Sequence, residues 1–300
     1  MNTPLVSVIV ICYNHEKFVK QAVQSIIDQD YPNVEIIISD DASEDQSVKN
    51  IKKICADHPD ILFIKNDHNI GNCKTFNAAF NKSNGEYIID LSADDMLEPT
   101  RISQGVEMLE SHGKSFGMHY SDAWLVDENN TLLGEHSKST KVISKNPFPS
   151  GNLYAKLLER YFICPPSLMA RREVFEKLKG YDEDLSYEDF DFLVRSSRTF
   201  LFCVSEKPLV VKRILESSKS AIQSSAPAYY KSTLKVCQKA LKMLQSREEE
   251  QALTKRILFE SRQALRRKQY DVVDEFLTML TSLNVAKWKL LLYRIIIKFH

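Results

Sequence analysis

Three hundred residues, 43% hydrophobic and 27% charged, are enough for one large domain or a domain plus an appendage and are too ordinary in composition for extensive disorder. The 40 Lys and Arg equal the 40 Asp and Glu, yet residues 231–300 hold 15 cations against 7 acids, which suggests an anionic partner such as a membrane surface, while the acidic remainder argues against nucleic acid. No run of about 18 apolar residues predicts a membrane span, no basic-then-apolar start predicts a secretory signal, and six scattered cysteines without a Cys-x-x-Cys pair read as reduced core thiols of a cytoplasmic protein.

Residues 5–12 are a nearly continuous apolar run of strand length, as in a strand covered on both faces, and Tyr13-Asn14-His15 ends it. From 16 to 28, Phe18, Val19, Ala22, Val23, Ile26 and Ile27 recur at three- and four-residue spacing and make one face of a helix. Tyr31-Pro32-Asn33 breaks the pattern before a second buried strand at 34–38, which ends in Ser39-Asp40-Asp41-Ala42-Ser43-Glu44-Asp45. An amphipathic stretch with Val48, Ile51 and Ile54 follows, then a strand at 61–64, a turn at 69–72 and a helix at 73–80. After Gly85 a fourth strand, 87–91, stops abruptly at Ser92-Ala93-Asp94-Asp95.

Four strands alternating with three helices predict an α/β fold with a doubly wound, mostly parallel sheet and helices on both faces. Ligands of such sheets sit beyond the carboxyl ends of the strands, where the Asp40 and Asp94 clusters converge. Mg²⁺ or Mn²⁺ needs oxygen ligands and keeps positions open for a diphosphate, so a strand ending in two acids is a metal-diphosphate platform. The plainer alternative is that Asp94 caps the helix near Pro99 and Asp95 turns the loop. Neither Gly-x-Gly-x-x-Gly after the first strand nor a Walker-type loop is present, which disfavours a nicotinamide dehydrogenase or a P-loop enzyme.

Past a helix at 101–111, residues 116–126 and 131–133 read as a hairpin about Asn129-Asn130. Residues 137–151, rich in Ser, Lys and Pro, read as a mobile loop suited to an acceptor-binding lid, 164–170 as a strand and 171–178 as a short helix ending at Gly180. His119 and Asp122 are candidate acceptor contacts whose plainer reading is structural. The acidic run from Gly180 to Asp191 opens another helix. The helix dipole favours acids there whatever their chemistry, while the functional reading is a general base that takes a proton from an incoming hydroxyl. Residues 201–204 and 209–211 read as edge strands, and the chain from 227 onward as mostly helix, with connections near 245–250 and 282–284. The basic, aromatic stretch 286–300 fits an anionic membrane interface, or docking on its own domain or a second subunit.

In combination these motifs resemble the family 2 glycosyltransferases, nucleotide-sugar transferases with the GT-A fold, over about residues 5–212. Val6-Ser7-Val8-Ile9-Val10 with Tyr13-Asn14 is similar to the family's opening strand. The run from Ser39 to Asp45 is similar to its nucleotide motif, and Asn69-x-Gly71, Asn77 and Gly85-Glu86-Tyr87 lead towards its metal motif. Asp94-Asp95 stands at the Asp-x-Asp end, and Glu188-Asp189 after Gly180-Tyr181-Asp182-Glu183 is similar to the acceptor-side motif.

The resemblance implies that Tyr13 and Asp41 contact the nucleobase, uracil if the donor is a UDP-sugar. Asp94 then approaches the ribose or sugar, Asp95 ligates Mn²⁺ or Mg²⁺, and Asp189 deprotonates the acceptor hydroxyl in an inverting displacement, with Asn14, Ser43 and Glu188 as secondary candidates. It also implies a glycosyltransferase domain over 1–215, with a nucleotide-sugar and metal half to 95 and an acceptor half beyond it, followed by a helical region over 216–300. The expected role is transfer of one or a few sugars to a glycan or lipid-linked saccharide in surface polysaccharide assembly, in the cytoplasm or peripherally on the inner membrane face. Two departures stand out. Ser92 replaces an acid that family members often have, and the Gln-x-x-Arg-Trp motif of processive synthases is missing. A nucleotidyltransferase of similar topology is disfavoured because no glycine-rich, basic triphosphate loop lies near the first strand. A catalytically silent nucleotide-sugar or glycan-binding scaffold is the alternative of a different class.

Overall fold

The computed structural model describes residues 3–139, 148–186, 188–215, 227–283 and 285. Strands β1 (Val6–Cys12), β2 (Val34–Asp40), β3 (Leu62–Lys65) and β4 (Tyr87–Ser92) lie parallel in the order β3-β2-β1-β4. Helices α1 (Val19–Ile27), α2 (Ser47–Asp57) and α3 (Asn72–Phe80) connect them, and α4 (Arg101–His112) follows. Strand alternation explains the apolar run of β1. Val6, Val8, Val10 and Cys12 share a core with Val23 of α1, Ile51 of α2 and Ile102 and Leu109 of α4. Ile9 and Ile11 point to the opposite face, where α3 packs on β1 and β2, and Phe76 of α3 meets Phe175 and Tyr181 at ring separations of 5.1 and 4.7 Å. Both faces are covered, so no position of β1 has to be polar for solvation. Each fully buried aliphatic contributes about 1.5–3 kcal/mol.

Beyond β4 the sheet mixes directions. β8 (Met169–Arg171), β6 (Phe116–Val126), β9 (Leu201–Arg213) and β5 (Met96–Leu97) continue it, and β7 (Leu132–Glu135) pairs antiparallel with β6, making nine strands among the described residues. The two edge strands expected at 201–204 and 209–211 are instead one strand, β9, lying inside the sheet between β6 and β5. The register between β6 and β9 shifts around Asp122, which sits opposite Pro208. At such an irregularity a residue without an N–H is tolerated, and the polar Ser205-Glu206-Lys207 run hides the continuity from a reading by hydropathy. The strand expected at 164–170 is shorter, because Pro165–Ser167 winds into a 3₁₀ turn and only Met169–Arg171 pairs. Short helices α5 (His136–Ser139), α6 (Tyr154–Glu159) and α7 (Arg172–Leu178) lie between the later strands. Five of the six free cysteines are buried and Cys55 is partly so.

The chain divides into two compact units. The first takes Met1–Asn152, Phe162–Glu183 and Thr199–Leu215 and holds the sheet; the second takes Leu153–Tyr161, Asp184–Arg198 and Glu216–His300. In the second, α6 and α8 (Glu188–Ser197) pack with helices Pro227–Met243, Arg247–Arg266 and Tyr270–Ser282 around Leu158, Phe190, Val194, Leu253, Ile257 and Phe276. Arg198, just past α8, binds both oxygens of Glu249 at 2.8 and 2.9 Å and lies 4.0 Å over the Tyr154 ring. Ser246 caps Arg247–Arg266 by accepting the Glu249 N–H at 3.2 Å, which fixes the break expected near 245–250. No described helix is long and apolar enough to cross a membrane. The basic stretch 286–300 and residues 140–147 of the expected lid lie outside the described residues.

Candidate functional site

Register gathers the candidate donor-side residues. Cys12 pairs with Asp40 and Ile11 with Ser92, so Tyr13, Asp41 and Asp94 leave three neighbouring strands at one carboxyl edge. Hydrogen bonds lace the first two loops there: Asn14 N–H to Ser43 Oγ at 2.9 Å, Glu44 N–H to Asn14 Oδ1 at 2.8 Å, and Glu16 N–H to Asp45 Oδ2 at 2.9 Å. Asn14 and Ala42 take left-handed turns, φ 57° and 62°, the first a conformation that Asn tolerates well. Fully buried Asp40 accepts the Ser43 N–H at 2.9 Å and its hydroxyl at 2.5 Å, so its charge is spent on the turn. Asn14 and Ser43 thus shape the rim, while Tyr13 at 42% exposure leaves much of its ring open.

Asp41 is 3% exposed, and its carboxylate is held by three donors. Oδ1 accepts from the Asn66 side chain at 2.9 Å and the Ile70 N–H at 2.8 Å; Oδ2 accepts from the Gly71 N–H at 2.9 Å. Gly71 presents that amide at φ 88°, a conformation that suits glycine, just before α3. These bonds offset the cost of burying the charge and use about three of the four lone-pair positions, leaving one at Oδ2.

Asp94 and Asp95 are 8% and 5% exposed. The Ser92 hydroxyl donates to Asp94 Oδ1 and so orients that carboxylate. Asp95 Oδ1 accepts the Arg213 N–H at 2.8 Å. The Arg213 guanidinium donates to the Asp94 carbonyl at 3.1 Å and the Asp127 carbonyl at 2.9 Å, and lies 4.5 Å over the Phe18 ring. Burial first, and then the adjacent Asp94 charge, push the Asp95 carboxyl well above the usual carboxylate range; Lys212, the Arg213 amide and the Arg213 charge only partly oppose them.

His15 completes this edge. Its backbone N–H donates to Ser47 Oγ at 2.9 Å, and its Nδ1 is buried without a hydrogen-bond partner among the described residues, 3.9 Å from Asp94 Oδ1. Nothing in the sequence pattern singles out His15, Asn66 or Arg213 beyond their places next to strand ends. Arg213 comes 118 positions after the residue it braces.

Two adjacent, largely buried carboxylates at the end of β4 suit a hard divalent cation. Among the described residues no group of three or more His, Cys, Asp and Glu side chains is arranged to hold a metal ion. The donor set therefore fits a cation held by one or two protein carboxylates, with its other positions left to ligand phosphates and water, as Mg²⁺ commonly is.

The acceptor-side candidates lie in the second unit, at the start of α8. Glu188 is 6% exposed and Asp189 is half-buried. Asp191, fully buried, is clamped between Arg195 Nε at 2.6 Å and Lys239 Nζ at 2.7 Å, so ion pairs explain this third acid. The segment leading to α8 is pinned in the first unit, where the Asn77 side chain bonds the Tyr181 N–H and carbonyl, both at 3.0 Å. His119 and Asp122 take structural places. Fully buried His119 contacts Arg101 Nη1 at 3.2 Å and Ser205 Oγ at 3.0 Å, and burial and Arg101 push its pKa well below the ordinary value. Asp122 accepts from the Ala123 N–H at 2.8 Å and from the Ser137 N–H and hydroxyl at 3.0 and 2.6 Å.

Comparison with known proteins gives concordant results. Residues 7–179 match the model of glycosyl transferase family 2. The uncharacterized glycosyltransferase MJ1057 of Methanocaldococcus jannaschii is 31% identical over 218 residues, 71% of this chain and 72% of that protein. An uncharacterized glycosyltransferase of Haemophilus influenzae is 30% identical over 225 residues, covering 74% and 69%. In fold, the chain is similar to S. aureus TarS solved with UDP-GlcNAc, with TM-score 0.71 and 17% identity over 91% of this chain and 80% of that one. It is also similar to the mannosyltransferase PcManGT of Pyrobaculum calidifontis solved with GDP-Man and Mn²⁺, with TM-score 0.61 and 15% identity over 97% and 79%.

Proposed function

This chain belongs to glycosyl transferase family 2 and is a glycosyltransferase, and from that premise we propose that it is an inverting, metal-dependent enzyme. The donor is a nucleotide-sugar, a UDP-sugar in the first instance, and the acceptor a hydroxyl of a glycan or lipid-linked saccharide in surface polysaccharide assembly. One observation carries this reading: Asp94 and Asp95 are buried side by side at the end of β4, on the same sheet edge as Tyr13 and Asp41. The donors of the neighbours TarS and PcManGT, UDP-GlcNAc and GDP-Man, and the Mn²⁺ with PcManGT support it by analogy of fold.

Tyr13 stacks on the nucleobase, and the remaining lone-pair position of Asp41 Oδ2 accepts an imide N–H. Asn14 and Ser43 hold that rim in shape. Asp94 faces the ribose or sugar. Asp95 is the residue that holds Mn²⁺ or Mg²⁺, and Arg213 fixes its other oxygen. When bound, the cation supplies positive charge against the negative charge that grows on the departing diphosphate. Asp189 takes the proton from the acceptor hydroxyl, with Glu188 as its nearest substitute, and attack opposite the leaving group inverts the anomeric carbon. The basic stretch 286–300 adds peripheral contact with an anionic membrane, a reading supported by its sequence alone.

The test is nucleotide release from UDP-, GDP- and TDP-sugars by the purified chain, with Mn²⁺, with Mg²⁺ and with chelator. Slow, metal-dependent hydrolysis of one donor is expected and identifies the sugar. Donor binding without any release, acceptors included, would instead support a silent nucleotide-sugar or glycan-binding protein.

A further inference from the structure

We infer that the helices of the second unit set the geometry of the acceptor-side acid, with Arg256 a positioning residue that acts on Asp189 through Phe190, an inference that rests on the reading of Asp189 as the base. The stretch Asp184–Arg198, which carries α8, divides with the C-terminal helices and not with the sheet. Neither α8 nor those helices lie within residues 7–179, which match the family model, so the family pattern does not account for what holds this acid in place. Ties from the C-terminal helices converge on the first turn of α8. Just before it, the Ser186 N–H donates to Ser232 Oγ at 2.8 Å. Within it, Lys239 Nζ meets Asp191 Oδ1 at 2.7 Å, and the Arg256 guanidinium lies 4.6 Å over the Phe190 ring. Phe190 and Asp191 are fully buried, whereas Asp189 is half-buried and is the most accessible acid of that turn.

Arg256 joins three elements. Its Nε donates to the Leu158 carbonyl of α6 at 3.0 Å, its Nη1 donates to Glu260 one turn along its own helix at 3.0 Å, and its face covers the Phe190 ring of α8. Stability is a poor reason for such a group. Arg256 and Glu260 are both buried, and a buried ion pair commonly adds no more than apolar side chains of the same volume. Arg256 Nη2 is also buried without a hydrogen-bond partner among the described residues, which costs more. What a planar fork held by two hydrogen bonds does supply is orientation. It fixes the ring beneath it, and Asp189 is the next residue along the helix. A general base has to sit within hydrogen-bond reach of the proton it takes, and a misplacement of about an ångström can cost up to about a hundredfold in rate.

The experiment is a double-substitution cycle in the full chain, read as nucleotide release with Mn²⁺ from the donor that wild type turns over, with water and with octyl hexosides as acceptors. Arg256→Met keeps apolar bulk and loses the fork. By calorimetric titration it should bind that donor's nucleoside diphosphate as wild type does, while kcat falls about tenfold or more. Asp189→Asn should lower kcat about a hundredfold. The combined variant should be no slower than Asp189→Asn alone, because a group that acts through the base has nothing left to act on. A residue with a merely structural role would instead slow both backgrounds by the same factor. That result, wild-type kcat in Arg256→Met, or a loss of nucleotide affinity in it overturns the positioning role and leaves Asp189 as the base. Should Arg256→Met fail to fold by circular dichroism, Phe190→Leu removes the ring that transmits the effect, stays apolar and carries the same expectations. Wild-type turnover in Asp189→Asn, or no release by wild type from any donor, overturns the base assignment itself, and the positioning role with it.

Discussion

A carboxyl buried against another carboxyl is costly until a cation or a proton arrives, and Asp95 is in that position. Its folded-state pKa lies above that of the unfolded chain, so protonation favours the folded form. That contribution is complete below the ordinary carboxylate range and is lost as pH rises through the raised folded value. Metal-free wild type should therefore melt progressively further below its Asp95→Asn variant as pH rises from about 4 towards neutrality, a difference that isolates Asp95 from the carboxyls whose folded-state pKa is lowered, such as Glu35 and Asp45. Asp95→Asn keeps an oxygen for the Arg213 N–H and removes the charge. By calorimetry at pH 7 in chelator it should melt about 2–4 °C higher than wild type, the shift that roughly 1 kcal/mol gives in a chain of this size, and should no longer gain from Mn²⁺. An unchanged melting temperature, or a wild-type response to Mn²⁺, would move the metal ligand elsewhere. Asp189→Asn is the complementary test: donor affinity should stay as it is while turnover falls about a hundredfold. Unaltered turnover would pass the role of base to Glu188.

At the scale of elements, the ends of the strands and helices matter more than their middles. Gly180 has φ 74°, and a Cβ built there would stand 2.3 Å from Asn77 Oδ1, the atom that accepts the Tyr181 N–H. Gly180→Ala should thus strain the backbone and loosen the Asn77 clamp together, lowering stability by about 1–3 kcal/mol in urea unfolding. A neutral result would show that the turn relaxes without the clamp. Helix α8 is held differently, by charge. Removing the buried Asp191 carboxylate leaves Arg195 and Lys239 without their shared partner, so Asp191→Ala should cost about 3 kcal/mol, the lower end for a broken buried pair because Lys239 is partly exposed.

For the whole molecule, a ligand that binds only the folded state stabilises it by mass action. UDP at a hundred times its Kd, with Mn²⁺, should add about 2.7 kcal/mol. Hydrogen exchange should slow at the amides of Ile70 and Gly71, which hold Asp41. Protection confined to the second unit would contradict the donor assignment. The charge asymmetry leads to a separate expectation: the full chain should float with vesicles of anionic lipid at low salt, and a chain ending at residue 285 should not. Equal flotation of both would remove residues 286–300 as the membrane contact.

The sequence by itself determined the parallel β-α half of the sheet, because a strand covered on both faces must be apolar throughout and a helix covered on one must be apolar every three or four residues. It also determined where polar chemistry gathers, since Asp41, Asp94 and Asp95 interrupt those runs at strand ends. Only the tertiary structure decided which acids are already occupied by the protein's own groups. Asp40 and Asp191 look like their neighbours in the chain, yet one is consumed by a turn and the other by two cations. The continuity of β9, the bracing of Asp95 by Arg213 and the meeting of His15 with Asp94 depend on residues 118 and 79 positions apart, or on a register shift opposite Pro208. Local periodicity carries no record of such contacts, because they are set by how strands order themselves in the sheet and not by the pattern along any one of them.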